Sequence, residues 1–425
     1  MRSPPPQVAH PGFVAWRVRK CPPGSACTDG SIGAGTIVPA PMPDRMPRSR
    51  SVLPLVAMLA GLVLAAQRAP DLRRRDAAFA FEAAAAARVP ESRAIGTGTD
   101  AAAIDLPNPD PSAHASTMAM LPNGDLLVAW FAGAREGARD VSIRMARLRD
   151  GAVAEAWQAL TVPELQRQVH RVVRKLGNPL LFTAADGTVH LFVVSVSYGG
   201  WSGSAVNHLR SSDGGRTWGH ARRLVLAPFL NLGTLVRAPA LPMRDGSIGL
   251  PAYHEFVRKW GLWVLLDPDG RVRSVSTMPA EERSLQPAVA PRDDRRATAV
   301  LRRGSGASAR VLRSSTEDGG ATWSPCEPTA VANPDAGVAL LRCADGALLM
   351  AANPLERGRH VLALLRSDDD GVTWTHLQDI ERGAEGDEFS YPTLIAAPDG
   401  TIHLSYTHGR RFVRVRSFAP VGGNG

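Results

Sequence analysis

The fold is indicated first by three related octapeptides, SSDGGRTW (211–218), TEDGGATW (316–323) and SDDDGVTW (367–374). Each holds an aspartate that can close a turn by accepting backbone N–H bonds, and a glycine suited to positive φ. Each ends in a tryptophan that can bury a large face in a sheet. The tryptophans are 105 and 51 residues apart, which leaves room for a missing copy, and LLDPDGRV (265–272) stands there as a degenerate version. The acidic residues of these motifs are therefore expected to be structural and not catalytic.

A second pattern is interleaved with the first, in which a turn dipeptide is followed by a strand of alternating apolar residues. It occurs six times, as PNGDLLVAW (122–130), ADGTVHLFVV (185–194), RDGSIGLPAY (244–253), RDDRRATAVL (292–301), ADGALLMAAN (344–353) and PDGTIHLSYT (398–407). Strand-sized units that recur about every 50 residues are typical of a β-propeller, whose blades are four-stranded sheets. The sequence therefore predicts an all-β, six-bladed β-propeller over residues 112–418.

The residues before this region show no strand repeats. Residues 1–50 carry ten of the 34 prolines, and we interpret them as a disordered N-terminal extension or as one that is wrongly assigned to the protein. In the second case translation starts at Met42 or Met46, and residues 1–41 are not part of the protein. Residues 51–67 include fifteen uncharged residues preceded by arginines, which is the layout of a signal peptide or a short membrane anchor. They predict export, to the periplasm, the outer face of a membrane or the medium.

Residues 68–111 are rich in alanine and arginine, and are predicted to be a linker with a short helix at 77–88.

Composition argues against several other classes of protein. The formal charge is +9, but the arginines are scattered and only three residues are lysine, so nucleic-acid binding is not indicated. The cysteines match no zinc spacing, and Cys326 and Cys343 are either a disulfide or buried free thiols. The histidines show no metal-ligand spacing either. Neither a metal nor another cofactor is expected.

The octapeptides are Asp-boxes, and their order with other motifs resembles the bacterial and plant BNR-repeat family of sialidase-like proteins. The resemblance rests on HASTMAMLPNGDLLVAWFAGAREGARD (114–140), GNPLLF (177–182), LQPAVAP (285–291), NPDAG (333–337) and EFSYPTLIAAPDGTIHLSYTHGR (388–410). It covers about 300 residues, nearly the whole predicted propeller.

This resemblance implies a sialidase-type site, with three arginines that clamp a carboxylate, a tyrosine nucleophile polarised by a glutamate, and an acid/base aspartate. Tyr391 in FSYPTL matches the nucleophile, and Arg302 and Arg359 match the second and third arginines. Two positions depart from the pattern. His114 stands in place of the first arginine, and Gln286, which cannot act as a base, stands near the place of the glutamate.

Several further residues are candidates for the same site. Asp140 or Glu136 is predicted to be the acid/base, and Glu255 is the remaining carboxylate, with an ion pair as its alternative role. Arg237 is predicted to join the anion-binding residues. Trp201 is either a platform for sugar stacking or part of the core.

These residues favour an exported, sialidase-like exo-glycoside hydrolase that acts on a terminal acidic or deoxy sugar of a glycan. Two alternatives stay open. The departures at His114 and Gln286 also fit a propeller that binds carbohydrate or protein at the membrane without cleaving it. A lyase acting on uronic-acid polysaccharide would use Tyr391 and His114 as its acid and base.

Overall fold

The computed structural model describes residues 80–82, 103–227, 231–256, 258–281, 283–304 and 309–418. The predicted N-terminal extension (1–50) and the signal or anchor segment (51–67) lie outside these residues. In the part of the chain that is described, no helix has both the length and the apolar character needed to cross a membrane.

The strands of the described residues form six antiparallel sheets, numbered here as blades one to six. Blade one holds β2 (Ser112–Met120), β3 (Leu126–Gly133), β4 (Ser142–Arg149) and β5 (Ala152–Leu160). Blade two holds β6 (Lys175–Thr183), β7 (Val189–Val196), β8 (Ser204–Ser211) and β9 (Gly219–Arg223). Blade three holds β10 (Thr234–Val236), β11 (Leu241–Pro242), β12 (Ile248–Glu255), β13 (Lys259–Leu266) and β14 (Val272–Met278).

The second half of the ring has the same construction. Blade four holds β15 (Ser284–Pro291), β16 (Ala297–Arg303), β17 (Arg310–Thr316) and β18 (Glu327–Ala332). Blade five holds β19 (Ala339–Arg342), β20 (Leu348–Ala352), β21 (Val361–Ser367) and β22 (Thr375–Arg382). Blade six holds β23 (Phe389–Ala396), β24 (Ile402–His408), β25 (Phe412–Phe418) and β1 (Ala103–Asp105).

The ring is closed by β1, which pairs antiparallel with β25 through Ile104 and Val415. Blade six is therefore built from both ends of the described propeller, with its outermost strand taken from the N-terminal side. The predicted six-bladed propeller is confirmed. It also begins earlier than residue 112, because residues 103–105 of the predicted linker are part of a blade.

Both repeated sequence patterns are turns at the same end of the blades. The six turn dipeptides join the first strand of each blade to its second, and the Asp-boxes join third strands to fourth strands in blades two, four and five. Asp213 accepts hydrogen bonds from the backbone N–H of Thr217 at 2.9 Å and from its hydroxyl at 2.6 Å. Because successive strands are antiparallel, both kinds of turn lie on one face of the ring, which we call the Asp-box face. The opposite face, where the first strands begin, is the pocket face.

Large side chains fill the space between the blades. Trp130, Trp263 and Tyr406 are at most 1% exposed. Trp263 lies so close to Gly249 that a Cβ there would approach its ring to 2.3 Å, so glycine is needed at that position. Burial of each such aromatic side chain contributes about 2 to 3 kcal/mol to stability.

One α-helix, α1 (Val162–Val169), joins blades one and two in the described residues. Its first turn is a capping box. The hydroxyl of Thr161 accepts from the backbone N–H of Glu164, and the Glu164 carboxylate accepts from the backbone N–H of Thr161 at 2.7 Å.

Residues 80–82 lie against the Asp-box face between blades three and four. The backbone N–H of Phe81 donates to the carbonyl of Asp294 at 2.7 Å, and its buried ring lies 5.6 Å from that of Trp263. Phe81 also forms a β-bridge with Met243, so the predicted helix over 77–88 is wrong at these residues. An extended backbone here leaves the N–H groups free to bond to the turns of the blades.

Cys326 and Cys343 are free thiols. Burial raises the pKa of Cys326 to about 11 and that of Cys343 to about 12. Of the two alternatives left open by the sequence, the structure has the free thiols, with Cys343 buried and Cys326 partly buried.

Candidate active site

The first strands of blades one, four and six share a β-bulge close to the pocket face. In each, two residues lie opposite one residue of the second strand. The first bulged residues are Ala115, Gln286 and Tyr391, with φ of 51°, 53° and 54°. Side chains other than glycine rarely adopt this conformation, and bulges next to active sites redirect side chains. Gln286 and Tyr391 thus hold equivalent positions in their blades, at the mouth of the central channel.

Tyr391 lies at the centre of the candidate site. Its hydroxyl accepts a hydrogen bond from Nη1 of Arg302 at 3.3 Å. The guanidinium groups of Arg237 and Arg359 lie 5.4 Å and 5.3 Å from the centre of its ring, and the ring of His114 meets it edge to face at 4.4 Å. Four of the residues predicted from the sequence therefore contact this one tyrosine.

Arg302 is held by a carboxylate that the sequence analysis did not single out. Its Nε bonds to Oδ1 of Asp335 at 2.5 Å, and its Nη1 lies 3.4 Å from Oε1 of Gln286. Burial alone would lower the pKa of Arg302, but the nearby Tyr391 and Asp335 outweigh it and the pKa is raised. Arg302 is fully charged beside the hydroxyl of Tyr391.

A second chain of ion pairs continues from Arg359. Glu388 binds Arg359 at 3.1 Å and Arg410 at 2.6 Å, and Arg410 in turn binds Glu136 at 2.9 Å. Burial would raise the pKa of Glu388, but Arg410, Ser390 and Arg359 together lower it to about 2. Three arginines of the pocket, Arg302, Arg359 and Arg410, are thus each paired with a carboxylate of the protein. The positive and negative charges of the pocket are therefore close to balance.

His114 is 2% exposed, and neither of its ring nitrogens has a hydrogen-bond partner among the described residues. Burial, reinforced by the charge of Arg410, lowers its pKa to about 3. The imidazole is therefore neutral at physiological pH and cannot replace an arginine as a cation. Its Nε2 lies 3.8 Å from Oε2 of Glu136, which connects that carboxylate to the surroundings of Tyr391.

Arg237 crosses the channel. It belongs to blade three, yet it donates hydrogen bonds to the carbonyls of Ser116 and Pro392 and to the hydroxyl of Thr393, which belong to blades one and six. Burial lowers its pKa to about 10. On the Asp-box side the channel continues as a separate cavity of about 460 Å³, lined mainly by small and aliphatic side chains.

A buried polar cluster supports the site on the side of blades two and three. The side-chain amides of Asn178 and Gln286 both donate to the hydroxyl of Tyr253, each at 3.3 Å. Gln286 is therefore fixed between Tyr253 and Arg302, and it orients both.

Three of the predicted residues lie apart from Tyr391. Asp140 is exposed and accepts from the backbone N–H of Ala134 at 2.9 Å in its own loop. Glu255 forms an ion pair with Lys259 at 2.6 Å. Trp201 packs against the bulged strand of blade two, where a Cβ on Gly177 would lie 2.5 Å from its ring.

Sequence reasoning missed Asp335, Glu388, Arg410, Tyr253 and Asn178. The first three and Asn178 lie inside the motifs that carried the family resemblance, NPDAG, EFSYPTL, THGR and GNPLLF. The motifs contain these residues, but the sequence does not show which of them contact one another. Ion pairs between different blades depend on the closed ring and do not appear as a spacing in the sequence.

Comparison with known proteins supplies the family. Residues 124–404 match the model of the BNR repeat-like domain. The chain belongs to this family. The match spans well over half of the chain and includes all three Asp-boxes. No curated protein is similar enough in sequence to count as a match.

Solved structures similar to this BNR-repeat protein include glycosidases. The Hadza microbial sialidase Hz136 has a TM-score of 0.59 and 16% identity, over 73% of this chain and 66% of its own, slightly under two thirds of its length. The NanB sialidase of Streptococcus pneumoniae has a TM-score of 0.60 and 10% identity, over 74% and 70%. The α-L-arabinanase of Penicillium chrysogenum has a TM-score of 0.54 and 16% identity, over 74% and 96%. At these identities the likeness concerns the fold.

Proposed function

We propose that this BNR-repeat protein is an exported exo-glycoside hydrolase that removes a terminal acidic or deoxy sugar from a glycan. The observation that carries the proposal is the position of Tyr391, at the mouth of the channel with its hydroxyl bonded to Arg302. A tyrosine that is turned into a pocket by a strained bulge and surrounded by guanidinium groups is costly to build for packing alone.

Each residue of the pocket has a role in the proposal. Tyr391 is the nucleophile or contacts the substrate, and Arg302 stabilises the negative charge that develops on its oxygen. Glu136 is placed better than Asp140 to serve as the acid/base, because it lies next to His114 and Asp140 is turned toward its own loop. Arg302 and Arg359 contact the sugar while they stay paired with Asp335 and Glu388.

The test is release of a fluorophore from a panel of aryl glycosides, which includes a sialoside, a uronide, a fucoside and an arabinofuranoside, by the full chain. We expect one of them to be cleaved, and Tyr391→Phe to lose at least a hundredfold in kcat/KM. Tyr406→Phe is the matched control, because its hydroxyl bonds to Glu381 at 2.6 Å, away from the pocket. Less than a twofold loss in a variant with both Tyr391 and Arg302 replaced would refute the assignment. Glycan retention without any product would favour the binding alternative.

The contact between His114 and Tyr391 also favours a second candidate, a lyase on uronic-acid glycans. A neutral imidazole 4.4 Å from a phenol ring is a combination suited to removing one proton and supplying another in a β-elimination. Incubation with uronic-acid polysaccharides would then release an unsaturated sugar that absorbs in the ultraviolet. A reducing sugar without that absorbance would eliminate the lyase.

Export is the third part of the proposal, and it rests on the uncharged run at 52–66 behind several arginines. A reporter enzyme that is active only outside the cytoplasm, fused after residue 80 in a bacterial host, is expected to be active. Replacement of two leucines of the run by arginines should abolish that activity.

A further inference from the structure

The pocket-face surface of blades one and two carries a group of cations and aromatic rings directly beside the candidate active site. We call it the basic shelf and define it by five residues, Arg135, Arg174, Lys175, Tyr198 and Trp201. They come from the β3–β4 loop, the start of β6 and the loop after β7. Three separate stretches of sequence therefore meet at this surface.

A cavity of about 230 Å³ opens in the shelf, lined by Arg135, Lys175 and Trp201 together with Glu136. This volume is of the order of one sugar ring. Trp201 forms a wall of the cavity because Gly177 leaves room for its ring. Glu136 is shared between this cavity and the pocket, since it also contacts Arg410 and His114. The cavity therefore adjoins the residues that surround Tyr391.

The charges of the shelf differ from those of the pocket. Arg302, Arg359 and Arg410 are each paired with a carboxylate of the protein. Among the described residues, by contrast, no carboxylate oxygen lies within the 4.0 Å ion-pair distance of the side-chain nitrogens of Arg135, Arg174 or Lys175. The one carboxylate in the lining of the shelf cavity, that of Glu136, is bound to Arg410, so the three cations of the shelf have no carboxylate partner of their own among the described residues.

Tyr198 adds a flat apolar surface. It is 64% exposed, and the guanidinium of Arg174 lies 5.0 Å from the centre of its ring. Aromatic rings beside cations suit a chain of anionic sugars, because the ring faces pack on the sugars and the cations bind their acidic groups.

We propose that the basic shelf binds an anionic stretch of glycan, carboxylated or sulfated, that adjoins the sugar held in the pocket. The proposal deepens the proposed function and rests on it, since it takes the pocket to hold the end of the same glycan. The substrate is then an acidic oligosaccharide or polysaccharide. Its charged groups are bound both in the pocket, at the sugar that is released, and on the basic shelf, at the adjoining sugars.

The test is a direct binding measurement with the full chain, which needs no turnover. The probes are an oligogalacturonate, its neutral methyl ester, a sulfated galactan oligosaccharide and single-stranded DNA. We expect the acid to bind at least tenfold more tightly than its methyl ester, with an affinity that falls as salt is raised. Lys175→Met and Arg135→Met should each weaken binding about fivefold. Arg295→Met removes an exposed arginine from the Asp-box face and should change nothing.

The outcomes separate the possibilities. Tighter binding of the sulfated probe than of the oligogalacturonate would support the shelf and identify sulfate as the group bound. Equal binding of the acid and its methyl ester, or an equal loss in Arg295→Met, would overturn the proposal. So would DNA binding that exceeds that of both glycans and is lost in the shelf variants. Charge-dependent binding without cleavage of any glycoside would refute the proposed hydrolase activity and would still support glycan binding by the basic shelf.

Discussion

Glu388 shows how single residues hold the pocket together. It connects two arginines from different parts of the ring, Arg359 and Arg410, and it also accepts from the hydroxyl of Ser390 at 2.7 Å. Each of these contacts fixes a group close to Tyr391. At this scale the site is a set of ion pairs, and its stability depends on the charge state of its carboxylates.

Replacement of Glu388 by glutamine is expected to lower the free energy of unfolding by about 2 kcal/mol at pH 7, because two partly buried arginines lose their common anion. The pKa of Glu388 is lowered to about 2 in the folded protein, against a usual value near 4.5. Its stabilising effect is therefore complete above pH 4.5 and is lost as the pH falls toward 2. Denaturant unfolding of the wild type and of Glu388→Gln would check this, because the difference between their free energies of unfolding should be smaller at pH 3 than at pH 7.

Glu356→Gln is the control for this change, since Glu356 is exposed and has no ion pair in the described part of the chain. It should leave stability unchanged at both pH values. Equal stabilities of Glu388→Gln and the wild type at pH 7 would contradict the role given to Glu388.

At the scale of elements, two features hold the Asp-box face. The Asp-boxes close the outer turns of three blades, and residues 80–82 fill the groove between blades three and four. Neither feature touches Tyr391. Substitutions in either feature are therefore expected to lower the stability of the protein and to leave its kcat/KM nearly unchanged.

Phe81→Ala is expected to destabilise the protein by about 3 kcal/mol, because the side chain is fully buried against Trp263 and Met243. Phe256→Ala is the matched control, since Phe256 is 49% exposed, and it should cost less than 1 kcal/mol. Chains shortened to begin at residue 70 and at residue 84 should differ in melting temperature in the same way. Equal melting temperatures would show that the segment contributes nothing.

Asp369→Ala should cost about 1 to 2 kcal/mol, because Thr373 loses bonds to the carboxylate from both its backbone N–H and its hydroxyl. kcat/KM should stay within twofold of the wild type. Asp368 is 72% exposed, so Asp368→Ala should cost less than about 0.5 kcal/mol. Thermal unfolding and turnover of both variants would check this, and a large loss of activity in Asp369→Ala would contradict the structural role of the Asp-boxes.

For the whole molecule, the repeats in the sequence were enough to predict the fold. Six turn dipeptides and three Asp-boxes each mark a local structure, and local structures at a fixed period leave few arrangements other than a ring. Phe81 could not be predicted, because its burial depends on a groove that exists only once blades three and four have met. Asp335 and Glu388 were missed as well, because their arginine partners lie 22 to 33 residues away in the sequence and no local pattern connects them.

The whole propeller is also expected to be sensitive to acid. Burial lowers the pKa of His114 to about 3, of His190 to about 4 and of His208 to about 2. These imidazoles stay neutral in the folded state, while in the unfolded chain they take up protons near pH 6.5. Stability is therefore highest above pH 6.5 and falls as the pH drops toward 4, by about 1.4 kcal/mol per pH unit for each histidine. A melting temperature that stays constant from pH 8 to pH 4.5 would contradict this.

The path of Arg237 across the channel has a consequence for how a glycan would be shortened. A chain cannot thread through the ring, because the bonds from Arg237 to the opposite blades close it beneath Tyr391. A freed sugar has to leave by the mouth through which it entered, and the remaining glycan has to back out before the next cut. In the proposed hydrolase, cleavage would then be distributive, so all chains in a sample would shorten together, one residue per encounter.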